Sequence, residues 1–197
     1  VQGFVPSAGG AVSNLLVAAS RLGLRTGFLG CVGDDEFGTL ILHDFQSEGV
    51  DTSCVKRAKG EATGIAFYSV DKEGERHYIF YRFPGYSDPE SALMPDDIDV
   101  QYIARSKAVH LSEALLRKRS SREAVLRILQ GSRDHRVLIS YDPNVRLALW
   151  GEKKEFRDVQ NAVLSFVDVF ISTAEEVMLI TDTKDVDEAI LRVTASG

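Results

Sequence analysis

Along this chain, short continuous apolar runs alternate with longer stretches in which apolar residues recur every three or four positions, the pattern of buried strands alternating with amphipathic helices. Val12, Leu15, Leu16, Ala19 and Leu22 share one helical face, and Gly23 supplies the left-handed residue that ends the helix. Thr26 to Val32, "TGFLGCV", reads as one buried strand. Phe37, Leu40, Ile41 and Phe45 define a second helix, with Asp34 or Asp35 as its N-cap and Gly49 as its stop. From Glu61 to Arg82 the period changes: "ATGIAFYSV" and "RHYIFYR" are rich in β-branched and aromatic residues, and "DKEGE" between them is a turn, which predicts an inserted β-hairpin. The hairpin strands are apolar on both faces, so one face covers either its own domain, a ligand or a partner subunit.

The alternation then resumes. Lys107 to Ser112 and Arg136 to Asp142 read as strands, and between them lies a helix carrying Val125, Ile128 and Leu129 that ends at Gly131. Phe156, Val159, Val163 and Phe166 give another helical face, "VDVFIS" another strand, and Val177 with Ile180 a short helix. Val186, Ala189, Ile190 and Val193 form a last helix capped by Asp185, with Glu188 three residues on. Near-continuous apolar strands between amphipathic helices predict an α/β fold with a parallel sheet covered on both faces.

Composition narrows the function. With 44% hydrophobic residues in 197, the chain can bury a sizeable core. Its net charge of −6 and the lack of any basic stripe argue against nucleic acid as a partner. Cys31 and Cys54 stand at no metal-ligand or CxxC spacing and read as reduced thiols of a cytoplasmic protein. No apolar run reaches the roughly 18 residues of a membrane span.

In a parallel sheet the ligand crevice lies beyond the carboxyl ends of the strands, so polar clusters just after strands are the candidates for chemistry. "GCVGDDEFG" is neither GxGxxG nor a P-loop, and Asp34 and Asp35 read as helix caps. In "SYDPNVRLALW", Pro143 turns the chain sharply out of its strand, and Asp142, Asn144 and Arg146 crowd into five residues. If that segment stays extended they point one way and suit a hydroxylated, anionic ligand; otherwise it is an Asx turn with a surface arginine. In "STAEEV", Glu175 and Glu176 favour a helix dipole, or one of them orients a metal-bound water near phosphate. His43, His77, His110 and His135 are unpaired and no GxSxG elbow exists, so hydrolase chemistry has no support.

With these residues placed, "AGGAVSNLLVAASRLGLRTGFLGCVGDDEFG" resembles the first signature of the ribokinase-like (PfkB) carbohydrate kinases, and "SYDPNVRLALW" is similar to a segment of fructokinases and 2-keto-3-deoxygluconate kinases. The resemblance implies a Rossmann-like three-layer αβα fold with a small β-sheet lid. Residues 1–60 and 83–197 would form the kinase core, and 61–82 the lid, through which such kinases also form homodimers. It implies phosphorylation of a sugar or sugar acid by ATP with Mg2+. Gly9, Gly10, Asn14, Arg82 and Arg146 would bind the substrate, while Asp142, Asn144 and Glu176 would lie on the phosphate side, Glu176 reaching the metal through water.

The sequence departs from the family at four points. Thr173-Ala174-Glu175-Glu176 stands where the family has Asn-x-x-Glu, and Phe80 where 2-keto-3-deoxygluconate kinases carry tyrosine. The Gly-Ala-Gly-Asp segment with the general base and anion hole is absent, and the chain starts after the usual first strand. The expectation is a kinase whose catalytic base lies downstream of Gly197. The alternative is a non-catalytic kinase-like protein with a binding or assembly role.

Overall fold

The structure, a computed structural model, describes residues 3–81 and 92–195. The chain divides into two compact units, Val1–Leu93 and Met94–Gly197. In the first, helix α1 (Ala11–Arg21) starts at Gly10, whose φ of 119° is open to glycine and strained for other residues, and Gly23 follows its end at φ 88°. Strand β1 (Thr26–Gly27) pairs in parallel with β3 (Val50–Asp51), and β2 (Gly30–Gly33) with β4 (Val55–Ala58). The expected single strand from Thr26 to Val32 is therefore broken at Phe28 and Leu29. The break has a steric origin: the Phe28 ring folds over Gly30, where a Cβ would lie 2.7 Å from it, and packs edge-on against Phe45 at 5.2 Å. Between β2 and β3 runs helix α2 (Glu36–Ser47), followed by Gly49 at φ 76°. Strands β3 and β4 went unpredicted because they are short and mostly polar.

The hairpin is as expected: β5 (Ile65–Val70) pairs antiparallel with β6 (Arg76–Tyr81), Ile65 opposite Tyr81 and Val70 opposite Arg76. Asp71 Oδ1 accepts the amides of Glu73 and Glu75 at 3.0 and 2.9 Å and Asp71 Oδ2 binds His77 Nε2 at 2.8 Å, which shapes the turn. Tyr68, Tyr78 and Phe80 form an exposed aromatic row, with ring centroids 5.8 and 6.0 Å apart.

In the second unit a short helix, α3 (Val100–Ala104), precedes β7 (Ala108–Leu111), α4 (Arg119–Asp134), β8 (Leu138–Tyr141), α5 (Lys153–Leu164), β9 (Val169–Phe170), α6 (Ala174–Thr181) and α7 (Val186–Thr194). The sheet is parallel in the order β7-β8-β9, with Leu111 opposite Tyr141 and Tyr141 opposite Phe170. Alternation along β8 sends Ile139 and Tyr141 into the core. Tyr141 donates to Gln160 Oε1 of α5 at 2.5 Å, and burial raises its phenol far above the ordinary range. On the opposite face of the sheet Leu138 and Val169 are exposed, while His110 and Ser140 are half-buried.

Helix α4 does not stop at Gly131. That residue lies buried inside the helix, where a Cβ would come within 3.2 Å of Val100 Cγ1. The glycine marks a close approach of α3 to α4, not a helix end.

Candidate functional site

In the first unit the expected substrate residues sit at the start of α1. Gly9 and Gly10 are exposed, Asn14 N–H donates to Gly10 O at 2.9 Å, and the Asn14 side chain is exposed on the first helical turn. The Ala8 amide donates to Asp44 Oδ2 of α2 at 3.2 Å, which ties this loop to the second helix. Arg82 lies outside the described residues.

After β2 the two aspartates take different tasks. Asp35 is the N-cap of α2 and accepts the Gly38 amide at 2.7 Å, while Asp34 pairs with Arg57 Nε at 3.0 Å. Asp35 also accepts the Thr63 amide at 2.7 Å and the Thr63 hydroxyl at 2.8 Å, and that hydroxyl receives the Gly33 amide at 3.0 Å. Partial burial pushes the Asp35 carboxyl up, but these hydrogen bonds outweigh it and hold it below its ordinary value. The glycines here are needed for close packing. A Cβ on Gly33 would lie 2.5 Å from Thr63 N, and one on Gly38 2.3 Å from Gly33 O.

In the second unit the segment after β8 does not stay extended. Asp142 Oδ1 accepts the Asn144 amide at 3.2 Å in an Asx turn, and Asn144 takes a left-handed φ of 48°. The loop nevertheless brings Asp142, Asn144 and Arg146 to one cleft of about 370 Å³, shared with Ile171, Ser172, Thr173 and Glu176. It opens at the carboxyl ends of β8 and β9, the place the sheet topology dictates. Arg146 is exposed, and its guanidinium donates to the carbonyls of Asn144 and Val145, at 3.3 and 3.0 Å.

Glu176 is more constrained than the sequence indicated. It closes a capping box with Thr173, whose hydroxyl accepts the Glu176 amide at 3.2 Å while Glu176 Oε2 accepts the Thr173 amide at 3.1 Å. Its other oxygen accepts the Val145 amide at 2.7 Å. Thr173, which replaces the expected asparagine, thus still caps the helix. With its oxygens engaged by backbone amides, Glu176 suits a metal only through water, and among the described residues no cluster of three His, Cys, Asp or Glu side chains could hold an ion. Such a hydrated fit agrees with magnesium, which keeps several of its waters.

The sequence reading passed over Glu113, which follows β7. Its carboxylate is buried and accepts the Arg146 amide at 2.8 Å and the Trp150 indole N–H at 2.5 Å. Burial raises its pKa, opposed by these donors and by the charges of Arg117 and Arg146. It follows the strand "KAVHLS" as directly as Asp142 follows its own, so the strand-end rule would have found it. One strand in, His110 Nδ1 lies 3.1 Å from Ser140 Oγ, and burial keeps this imidazole below its ordinary pKa despite the Asp142 charge.

Residues 1–196 match the family described as pfkB family carbohydrate kinase. The chain belongs to that family. The "Probable fructokinase-4" of Arabidopsis thaliana is 33% identical over 186 residues, covering 94% of this chain and 56% of its own length. The crystal structure of fructokinase with bound ATP from Xylella fastidiosa superposes with a TM-score of 0.84 at 26% identity, covering 98% of this chain and 60% of that one. The PfkB protein from Polaromonas sp. JS666 shares the fold at a TM-score of 0.86 and 23% identity, over 96% of this chain and 63% of its own. The fold is thus ribokinase-like α/β, and the chain spans about half the length of the curated relatives it matches. No helix among the described residues is long and apolar enough to cross a membrane.

Proposed function

We propose that the protein is an ATP-dependent kinase for a sugar or sugar acid of the fructose or 2-keto-3-deoxygluconate type. One observation carries the reading: Asp142, Asn144, Arg146 and Glu176 converge on one cleft at the strand ends, in a chain that belongs to the pfkB family. In this reading Arg146, an exposed cation whose guanidinium donates to two backbone carbonyls, holds the acid or hydroxyl groups of the substrate. Gly9, Gly10 and Asn14 serve sugar hydroxyls, the glycines by leaving backbone N–H groups accessible and the amide by donating and accepting together. Arg82 is assigned to the substrate as well.

Asp142, Asn144 and Glu176 face the phosphates. ATP supplies the phosphoryl group, and magnesium, held through water by Glu176, would neutralise phosphate charge. The hairpin 61–82 acts as a lid on the core formed by 1–60 and 83–197, and its aromatic row is the contact for a second subunit. The reading is tested by coupled ADP release from the whole protein across a panel of sugars. Turnover with fructose or 2-keto-3-deoxygluconate supports it. Arg146→Ala is expected to raise the sugar KM about 10- to 100-fold with a smaller change in kcat, the loss of a charge-assisted hydrogen bond. An unchanged KM would remove Arg146 from the site.

A further inference from the structure

The loop from Asp142 to Trp150 carries three of the six polar cleft residues, yet it is not regular secondary structure except for a 3-10 turn at Leu147–Leu149. Something else must fix its course. Two carboxylates from neighbouring strands do so. Glu176, after β9, accepts the Val145 amide at 2.7 Å, and Glu113, after β7, accepts the next amide, Arg146, at 2.8 Å. Glu113 also reaches the far end of the loop through the Trp150 indole, and its own amide donates to Pro143 O at 3.1 Å. One residue therefore ties the loop at its start, middle and end.

We propose that Glu113 is the positioning residue of this site: its buried carboxylate, bonded to the Arg146 amide and the Trp150 indole, sets the loop course that presents Asp142, Asn144 and the Arg146 guanidinium to the ligand. The inference rests on the functional reading above for what the ligand is, and on the loop geometry alone for the tie.

The chemistry of the site requires a carboxylate there. Two N–H donors converge on two oxygens, and each oxygen takes one. Trp150 is itself held in the core, edge-on to Phe156 at 5.2 Å with the Arg122 guanidinium 5.3 Å from its ring, so the indole is a fixed anchor and not a mobile partner. A glutamine in place of Glu113 keeps the shape but offers one acceptor and one amide, so at most one of the two donors is satisfied and the other faces an N–H group. Glu113 does not itself line the cleft, so its effect passes through the loop.

Trp150 is the single tryptophan of the chain, which gives a direct readout. In the full chain carrying Glu113→Gln, the indole N–H resonance and tryptophan emission are expected to shift. At least one of the Arg146 amide and the indole N–H should lose its protection from hydrogen exchange, while the Val145 amide held by Glu176 keeps its own. Affinity for fructose or 2-keto-3-deoxygluconate by calorimetry should fall 10-fold or more. Trp150→Phe keeps the ring and removes one donor; it should leave the Arg146 amide protected and lower affinity less than Glu113→Gln does, and a loss as large as that of Glu113→Gln without exchange at Arg146 would overturn the proposal.

Unchanged loop signals in Glu113→Gln would overturn the proposal, as would changed signals with unchanged affinity. If that variant does not fold, hydrogen exchange in the unsubstituted chain decides: an Arg146 amide exchanging as fast as an exposed loop amide overturns the tie. An unsubstituted chain that binds neither sugar defeats the functional reading, and the loop signals then judge the tie separately.

Discussion

Asp35 collects the Gly38 amide, the Thr63 amide and the Thr63 hydroxyl on one carboxylate, so it fixes both the start of α2 and the approach to the hairpin. Asp35→Ala should cost about 1–2 kcal/mol, the range for a lost N-cap, read as a lower urea midpoint. Because its folded pKa is depressed, the unfolded chain binds the proton more readily. The contribution is therefore present above the ordinary carboxylate range and lost as the pH falls below about 4, a loss that Asp35→Ala should not show. At this scale the sequence offered two candidates for the cap and could not choose, because the choice depends on Thr63, 28 residues away. Glu113 stood at a strand end where the same rule applies, but its partners, Arg146 and Trp150, lie 33 and 37 residues further along, so its task was not legible there.

At the scale of elements, Gly23, Gly49 and Gly131 were all read from sequence as helix ends, and the packing set Gly131 apart from the other two. Gly33→Ala should destabilise by about 1–3 kcal/mol, since its Cβ would press on backbone at 2.5 and 2.8 Å that cannot move away cheaply. Gly131→Ala should be close to neutral in chemical denaturation. The gain of about 1 kcal/mol in helix propensity offsets a 3.2 Å approach to Val100, whereas Gly131→Val should lose stability. The strongly periodic helices were all legible, down to Asp185 accepting the Glu188 amide at 2.9 Å. What escaped were elements too short to show a period: β3, β4 and the five-residue α3, which depend on partners distant in sequence. The break after β1 escaped for a related reason, since an aromatic ring folding onto Gly30 leaves no mark on hydropathy.

At the scale of the whole molecule, family membership accounts for the order of elements, and the strand-end cleft accounts for where a ligand could sit. The cleft residues were legible because proline and three polar groups follow an apolar strand within a few positions. Their conformation was not, because the left-handed Asn144 and the paired carboxylates are set by tertiary contacts. In the proposed function this arrangement binds a sugar and a nucleotide. Its most direct test is calorimetric titration of the chain with fructose, 2-keto-3-deoxygluconate and a non-hydrolysable ATP analogue, with Arg146→Ala alongside. Saturable binding of the nucleotide analogue and of at least one sugar is expected, the latter weakened about 10-fold or more by Arg146→Ala. Absence of heat with every ligand, or sugar binding indifferent to Arg146, would contradict it.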